Sequence, residues 1–193
     1  MHTTIHPSRA LTRAILTLTL LLAACAGELY AQTTEPPKPG PEHQKLAVWV
    51  GDWAYEGESK ATPFGPAGKI KGTESSRLIL DGFVWEDNWR DEPMGGHAGR
   101  GLILMRYDPE KRAFVDYWFG NDGSFSSTIH TVKGNVWTGL GTQTDAKGRR
   151  YQVKYVRTLS PDAKTIHTVA VYSVDKGKTW MPWWEITGKK ANP

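Results

Sequence analysis

Tryptophans, carboxylates and arginines recur at strand spacing along this chain, and together they can build a binding cavity. Phe83, Trp85, Asp87 and Trp89 fall on one face of an alternating segment; Val84, Glu86, Asn88 and Arg90 fall on the other. In 150–159, a solvent-facing Gln152 and Lys154 turn Tyr151, Val153, Tyr155, Arg157 and Leu159 inward. Such residues, gathered in an interior, suit a small molecule held by aromatic walls and oriented by a few charges. The candidate ligand-binding set is therefore Trp85, Asp87, Trp89, Tyr155 and Arg157. Arg100, from the Gly-rich 95–101 stretch, and Tyr117, from Asp116-Tyr-Trp-Phe119, complete it. The pattern does not set the facing of Asp116–Phe119 or of Trp180–Trp184. Asp87 and Arg157 are costly inside unless paired, so each should meet the other, Arg100 or a ligand.

Other chemistries find less support. His43 is expected on the solvated side of a short helix, and His97 in an exposed Gly-rich connection. His130 and His167 lie within strands, and none of these histidines has metal-ligand spacing such as His-Glu-x-x-His. There is no Gly-x-Ser-x-Gly elbow, and the glycines of 95–101 lead into a strand rather than a phosphate-binding helix start. No catalytic or metal-binding residue is assigned. An enzyme would have to use Asp87 or another buried acid as general base, which requires a carboxylate of raised pKa in a cleft.

The 193 residues suit one domain plus a targeting segment. Net charge is +4, with basic residues interleaved among acids rather than clustered, so no nucleic-acid partner is expected. Arg9 and Arg13 precede an apolar run from Ala14 to Ala24, the layout of a secretory signal peptide over 1–24. Leu22-Ala-Ala-Cys25 resembles the lipobox of bacterial lipoproteins, which implies cleavage before Cys25, acylation of its sulfur and a membrane anchor. Leu29-Tyr-Ala31 allows an alternative cut after residue 31. Either route implies export to the periplasm or cell envelope. Cys25 is the single cysteine, so the folded domain must be stabilised without a disulfide. Residues 25–40 read as a Pro-rich linker.

Positioning the candidate residues requires a sheet. Pro41 opens a short helix with Leu46, Trp49 and Val50 on one face, ended at Gly51. Beyond it, strand segments are predicted at 52–60, 69–80, 83–91, 98–107, 113–120, 124–132, 136–144, 150–159, 165–174 and 179–188. Turn signals such as Asp81-Gly82, Asp122-Gly123 and Lys147-Gly148 separate them, which describes a meander of hairpins. About ten such strands close on themselves to remove their edges. The expected fold class is all-β: an antiparallel up-and-down barrel over 41–190 behind a short N-terminal helix, with a two-sheet sandwich as the alternative. Gly99, Gly101, Gly139 and Gly141 are places for the wall to bend.

Gly51-Asp-Trp53, between helix and first strand, resembles the Gly-x-Trp signature of lipocalin-like barrels. With Gly95-Gly-His-Ala-Gly-Arg-Gly101, Arg106-Tyr-Asp108 and Tyr117-Trp118, the chain is similar to a bacterial family of uncharacterised secreted proteins with a lipocalin-like (calycin) fold. That resemblance implies a Trp packed across the closed end of the barrel, with Lys189 and Lys190 as the only cations its last strand offers. The haem-binding nitrobindins share the shape more distantly. Their proximal histidine comes late in the chain, whereas Thr179–Thr187 here has none and His167 would have to substitute, so no cofactor is expected. The reading is an exported barrel binding a small apolar or aromatic molecule. An enzyme using a buried carboxylate and an interaction protein with a filled barrel remain as alternatives, and the oligomeric state is not legible.

Overall fold

The computed structural model describes residues 35–93 and 98–191. The chain divides into a unit of residues 1–37 and a unit of residues 38–193. Of the first, Glu35–Pro37 are described, and they lie outside any helix or strand. The predicted signal-peptide segment, both candidate cleavage sites, Cys25 and His97 lie outside the described residues.

Alternating sequence broken by turn residues produces β1 (Gly51–Ser59), β2 (Gly68–Ile79), β3 (Val84–Asp91), β4 (Arg100–Asp108) and β5 (Ala113–Gly120). It continues as β6 (Phe125–Lys133), β7 (Val136–Thr144), β8 (Arg150–Leu159), β9 (Thr165–Ser173) and β10 (Met181–Lys190). Each strand pairs antiparallel with the next, and β10 returns to pair with β1, so the sheet is a closed ten-stranded barrel. The sandwich alternative is thereby overturned. Closure leaves no strand edge unpaired, which removes the main aggregation hazard of an antiparallel sheet.

The N-terminal helix is short, as predicted, and its second half is tighter than an α-helix: one α turn, α1 (Pro41–Gln44), continues as a 3-10 helix over Lys45–Trp49. Its apolar face is as expected, with Leu46 and Trp49 buried. His43, expected in solvent, is instead half-buried with its ring edge-on to Phe83 (4.9 Å) and Tyr107 (5.8 Å). So short a helix has no independent stability and is held by what it packs against.

That docking builds the floor of the barrel. The Trp53 indole donates to the Trp49 carbonyl (2.9 Å), and the Ser76 hydroxyl donates to the same oxygen (2.7 Å). Trp49 meets Trp85 at 6.2 Å and Trp137 at 5.2 Å between ring centroids, and Phe114, Met105, Leu159 and Ile166 complete the cluster. Lys190 Nζ lies 5.1 Å from the Trp53 ring centroid, so the last strand supplies the cation for this tryptophan. Gly51 permits the approach on two counts. Its φ is +129°, which disfavours other residues, and a Cβ there would sit 2.7 Å from Lys190 Cε.

Candidate functional site

Above the aromatic floor the barrel stays open as a cavity of about 410 Å³. Its mouth is framed by the β1–β2 connection, where Phe64 stacks on Tyr151 at 3.7 Å. A second cluster packs beside it: Tyr151, Val153, Tyr155, Ala170 and Tyr172, with Trp183 and Trp184 against it, and of these Tyr151, Tyr155, Trp183 and Trp184 line the cavity. The register of β10 slips between Pro182 and Trp184, a bulge that lets the consecutive Trp183 and Trp184 both line the cavity. Alternation alone would have sent one of them outward.

Ionisable groups form a belt between floor and mouth. On β3, Trp85, Asp87 and Trp89 share the inner face, and all three line the cavity. Asp87 is 1% exposed, and its Oδ1 has no hydrogen-bond partner. Burial, and then the neighbouring Glu74 carboxylate, push the Asp87 carboxyl up to about 8, with Arg157 offsetting part of the effect. Glu74, opposite Trp89 in the β2–β3 ladder, keeps some accessible surface, and it faces the cavity. Its pKa is raised by burial. Asp91 accepts a hydrogen bond from Tyr55 Oη (2.9 Å); burial raises its carboxyl and the Tyr55 bond partly offsets this. Tyr55 in turn stacks on Trp89 at 5.2 Å, and burial next to Asp91 raises its phenol.

Arg157 faces the cavity from β8, as does Tyr155, whose phenol donates to Gln143 Oε1 at 3.3 Å and is pushed up by burial. The Arg157 guanidinium sits over Trp49, 5.7 Å from the ring centroid. Among the described residues, no carboxylate approaches Arg157 within ion-pair distance. The expected Asp87–Arg157 contact is therefore a longer-range attraction rather than a closed bridge.

Two of the sequence candidates lie elsewhere. Arg100 stands opposite Arg90 on the outer face of the β3–β4 ladder, exposed and away from the cavity. Tyr117 is also outside, 38% exposed and stacked on Phe125 at 6.4 Å. With Phe119 and Phe125 it forms an apolar patch on the outer wall. Its neighbours Asp116 and Trp118 point inward instead and line the cavity.

Three residues of the belt escaped the sequence reading: Glu74, Asp91 and Asp116. For Glu74 a signal existed, because the outward Lys69, Lys71 and Arg77 leave Ile70, Gly72, Glu74 and Ser76 on the inner face. Asp116 Oδ2 is 2.6 Å from Nε2 of His130, which is fully buried. Gly139 makes this pair possible, since a Cβ there would lie 2.5 Å from His130 Cε1 and 2.8 Å from Thr128 Cγ2. Likewise a Cβ on Gly101 would collide with the Trp118 ring. These glycines leave room for a neighbour's side chain, beyond any bend in the wall. Gly139→Ala is expected to destabilise the barrel by about 1–3 kcal/mol through overpacking, read as a lowered urea midpoint.

The haem comparison does not fit the residues present. Among the described residues no histidine lines the cavity, and His167 is on the outer wall with Nε2 2.7 Å from Glu185 Oε1. Nor do three described His, Cys, Asp or Glu residues converge as a metal site.

Residues 38–187 match a family described as "Protein of unknown function (DUF1579)". No curated protein matches the chain. Among solved structures, the crystal structure of Rv2717c from M. tuberculosis is similar in fold, with a TM-score of 0.59 and 13% identity. That likeness covers 79% of this chain and 99% of the other.

Proposed function

Because the chain belongs to the DUF1579 family, whose description assigns no activity, we propose its function from the cavity itself. The barrel is a receptor for a small, largely apolar or aromatic molecule. Trp89, Trp118, Tyr155 and Trp184 supply the walls, and the belt of Glu74, Asp87 and Arg157 orients a polar group. The observation that carries this reading is an open, aromatic-lined volume of about 410 Å³ whose lining includes Asp87 and Trp85, with Asp87 Oδ1 and Trp85 Nε1 buried and without partners. Buried polar atoms are seldom left without partners, and a ligand can supply them. Export belongs to the same reading, supported by Arg9, Arg13, the apolar run 14–24 and the cut at Cys25 or after residue 31. Acylation of Cys25 would hold the receptor at a membrane.

The test is a fluorescence titration with N-phenyl-1-naphthylamine, a neutral aromatic probe. Wild type should bind it saturably. Thr168→Trp, which fills the cavity from a buried position on β9, should weaken binding by at least about tenfold, a loss near 1.4 kcal/mol. Its circular dichroism should remain that of wild type. No saturable binding, or equal binding by the filled variant, overturns the receptor reading.

One observation favours a second reading. A carboxyl at about 8, enclosed in a cleft and lacking a closed arginine bridge, is a proton donor near neutral pH. An enzyme would use Asp87 in that role, and Asp87→Asn would then abolish turnover of a co-purifying ligand while retaining its binding.

A further inference from the structure

Resting on the receptor reading, we propose that the polar group of the ligand is a cation. The cavity takes an aromatic amine or quaternary ammonium, with its charge beside Asp87 and Glu74 and its apolar part against Trp89 and its neighbours.

The belt carries more acid than base. Glu74, Asp87 and Asp91 face the cavity from β2 and β3, and Arg157 is the basic residue that faces them from β8. Asp116, on β5, already has His130. Lys60, Lys69 and Lys71 reach only the rim and are exposed; Lys60 is paired with Glu58 and Lys71 with Glu92 at 3.0 Å. Asp145, also at the mouth, is paired with Arg149. Asp87 is the most enclosed carboxylate of the three; it lines the cavity, and its buried Oδ1 has no hydrogen-bond donor.

The walls suit the same charge. Trp85 and Trp89 flank Asp87 at i−2 and i+2 on its own face, and Tyr55 stacks on Trp89. Aromatic faces attract cations, most strongly when water is excluded. Arg157 already demonstrates the mode inside this cavity, held over Trp49 with no carboxylate in bridging distance. An anionic ligand would gain Arg157 but would lie against three acids. A neutral one would leave Asp87 Oδ1 unanswered or its proton in place. A cation answers both, and on binding the Asp87 proton leaves to solvent while the ligand keeps its charge.

The experiment compares three probes on the intact protein: benzyltrimethylammonium, its neutral isostere neopentylbenzene, and phenylacetate. At pH 8.5 the ammonium should bind at least about tenfold tighter than the isostere, the advantage expected of a desolvated cation–aromatic contact and an ion pair. Its affinity should weaken as pH falls below about 8, up to tenfold per unit, because Asp87 must release a proton. Asp87→Asn should remove that pH dependence and most of the preference for the ammonium over neopentylbenzene. Equal affinity for the ammonium and the isostere, or tighter binding of phenylacetate, overturns the cation inference and leaves the receptor reading standing. Failure of all three probes, together with N-phenyl-1-naphthylamine, overturns both.

Discussion

Asp87→Asn is expected to make the barrel more stable than wild type at pH 8 and nearly equal to it at pH 4. The folded-state carboxyl stands at about 8, whereas in the unfolded chain it titrates near 3.9. Between those values the folded protein holds a proton that the unfolded chain has lost. Wild-type stability therefore falls as pH rises through this window. At about 1.4 kcal/mol per unit, the full linkage is on the order of 5 kcal/mol, a ceiling that Asp87 shares with Glu74. Asparagine carries no charge at any pH and does not incur this loss. Even half of the ceiling would raise the melting temperature of a domain this size by roughly 5–10 °C at pH 8. Thermal unfolding at pH 4, 6 and 8 checks it, and a difference that does not grow with pH would refute the argument.

Trp49→Ala carries the largest expected loss. One side chain closes the floor: Trp49 contacts Trp85 and Trp137, underlies Arg157, and is fixed through its carbonyl by Trp53 and Ser76. Truncating a buried Trp costs about 3–5 kcal/mol. Here it also frees Arg157 from its aromatic partner and undocks a 3-10 turn too short to persist alone. Denaturant unfolding should show the loss in the midpoint. Trp49→Phe, which keeps a ring at the site, should recover most of it.

Those two residues also show what the sequence makes legible. Asp87 could be turned inward because β3 alternates cleanly, with Asn88 and Arg90 marking the outside. The same held for β8, where Gln152 and Lys154 mark it. On β4 and β5 apolar residues occupy both faces. Leu102 pairs with Phe119 and Leu104 with Tyr117 on the outer wall, so alternation carries no sign that Arg100 and Tyr117 face outward. Trp183 and Trp184 were undecidable for another reason, since a bulge breaks the period on which facing depends. The floor was legible as an amphipathic turn leading into Gly51-Asp-Trp53. Its division into α and 3-10 segments reflects docking, which local sequence does not encode. Asp116–His130 was invisible because the space it needs is created by Gly139 on the next strand, a pairing that only the closed register defines.

The ladder between β1 and β10 joins residues more than a hundred positions apart, with Trp53 opposite Lys190. Every other ladder joins neighbours in the chain and can form as soon as its hairpin exists. During synthesis, β1 emerges first and then carries a bare edge until the last ten residues of the sheet are free of the ribosome. The nascent chain is thus an open, adhesive ribbon for nearly the whole of its translation, and it loses its edges in one late step. A stop just before β10 would leave nine of the ten strands with β1 and β9 permanently unpaired at the edges, an open sheet prone to stick to other chains.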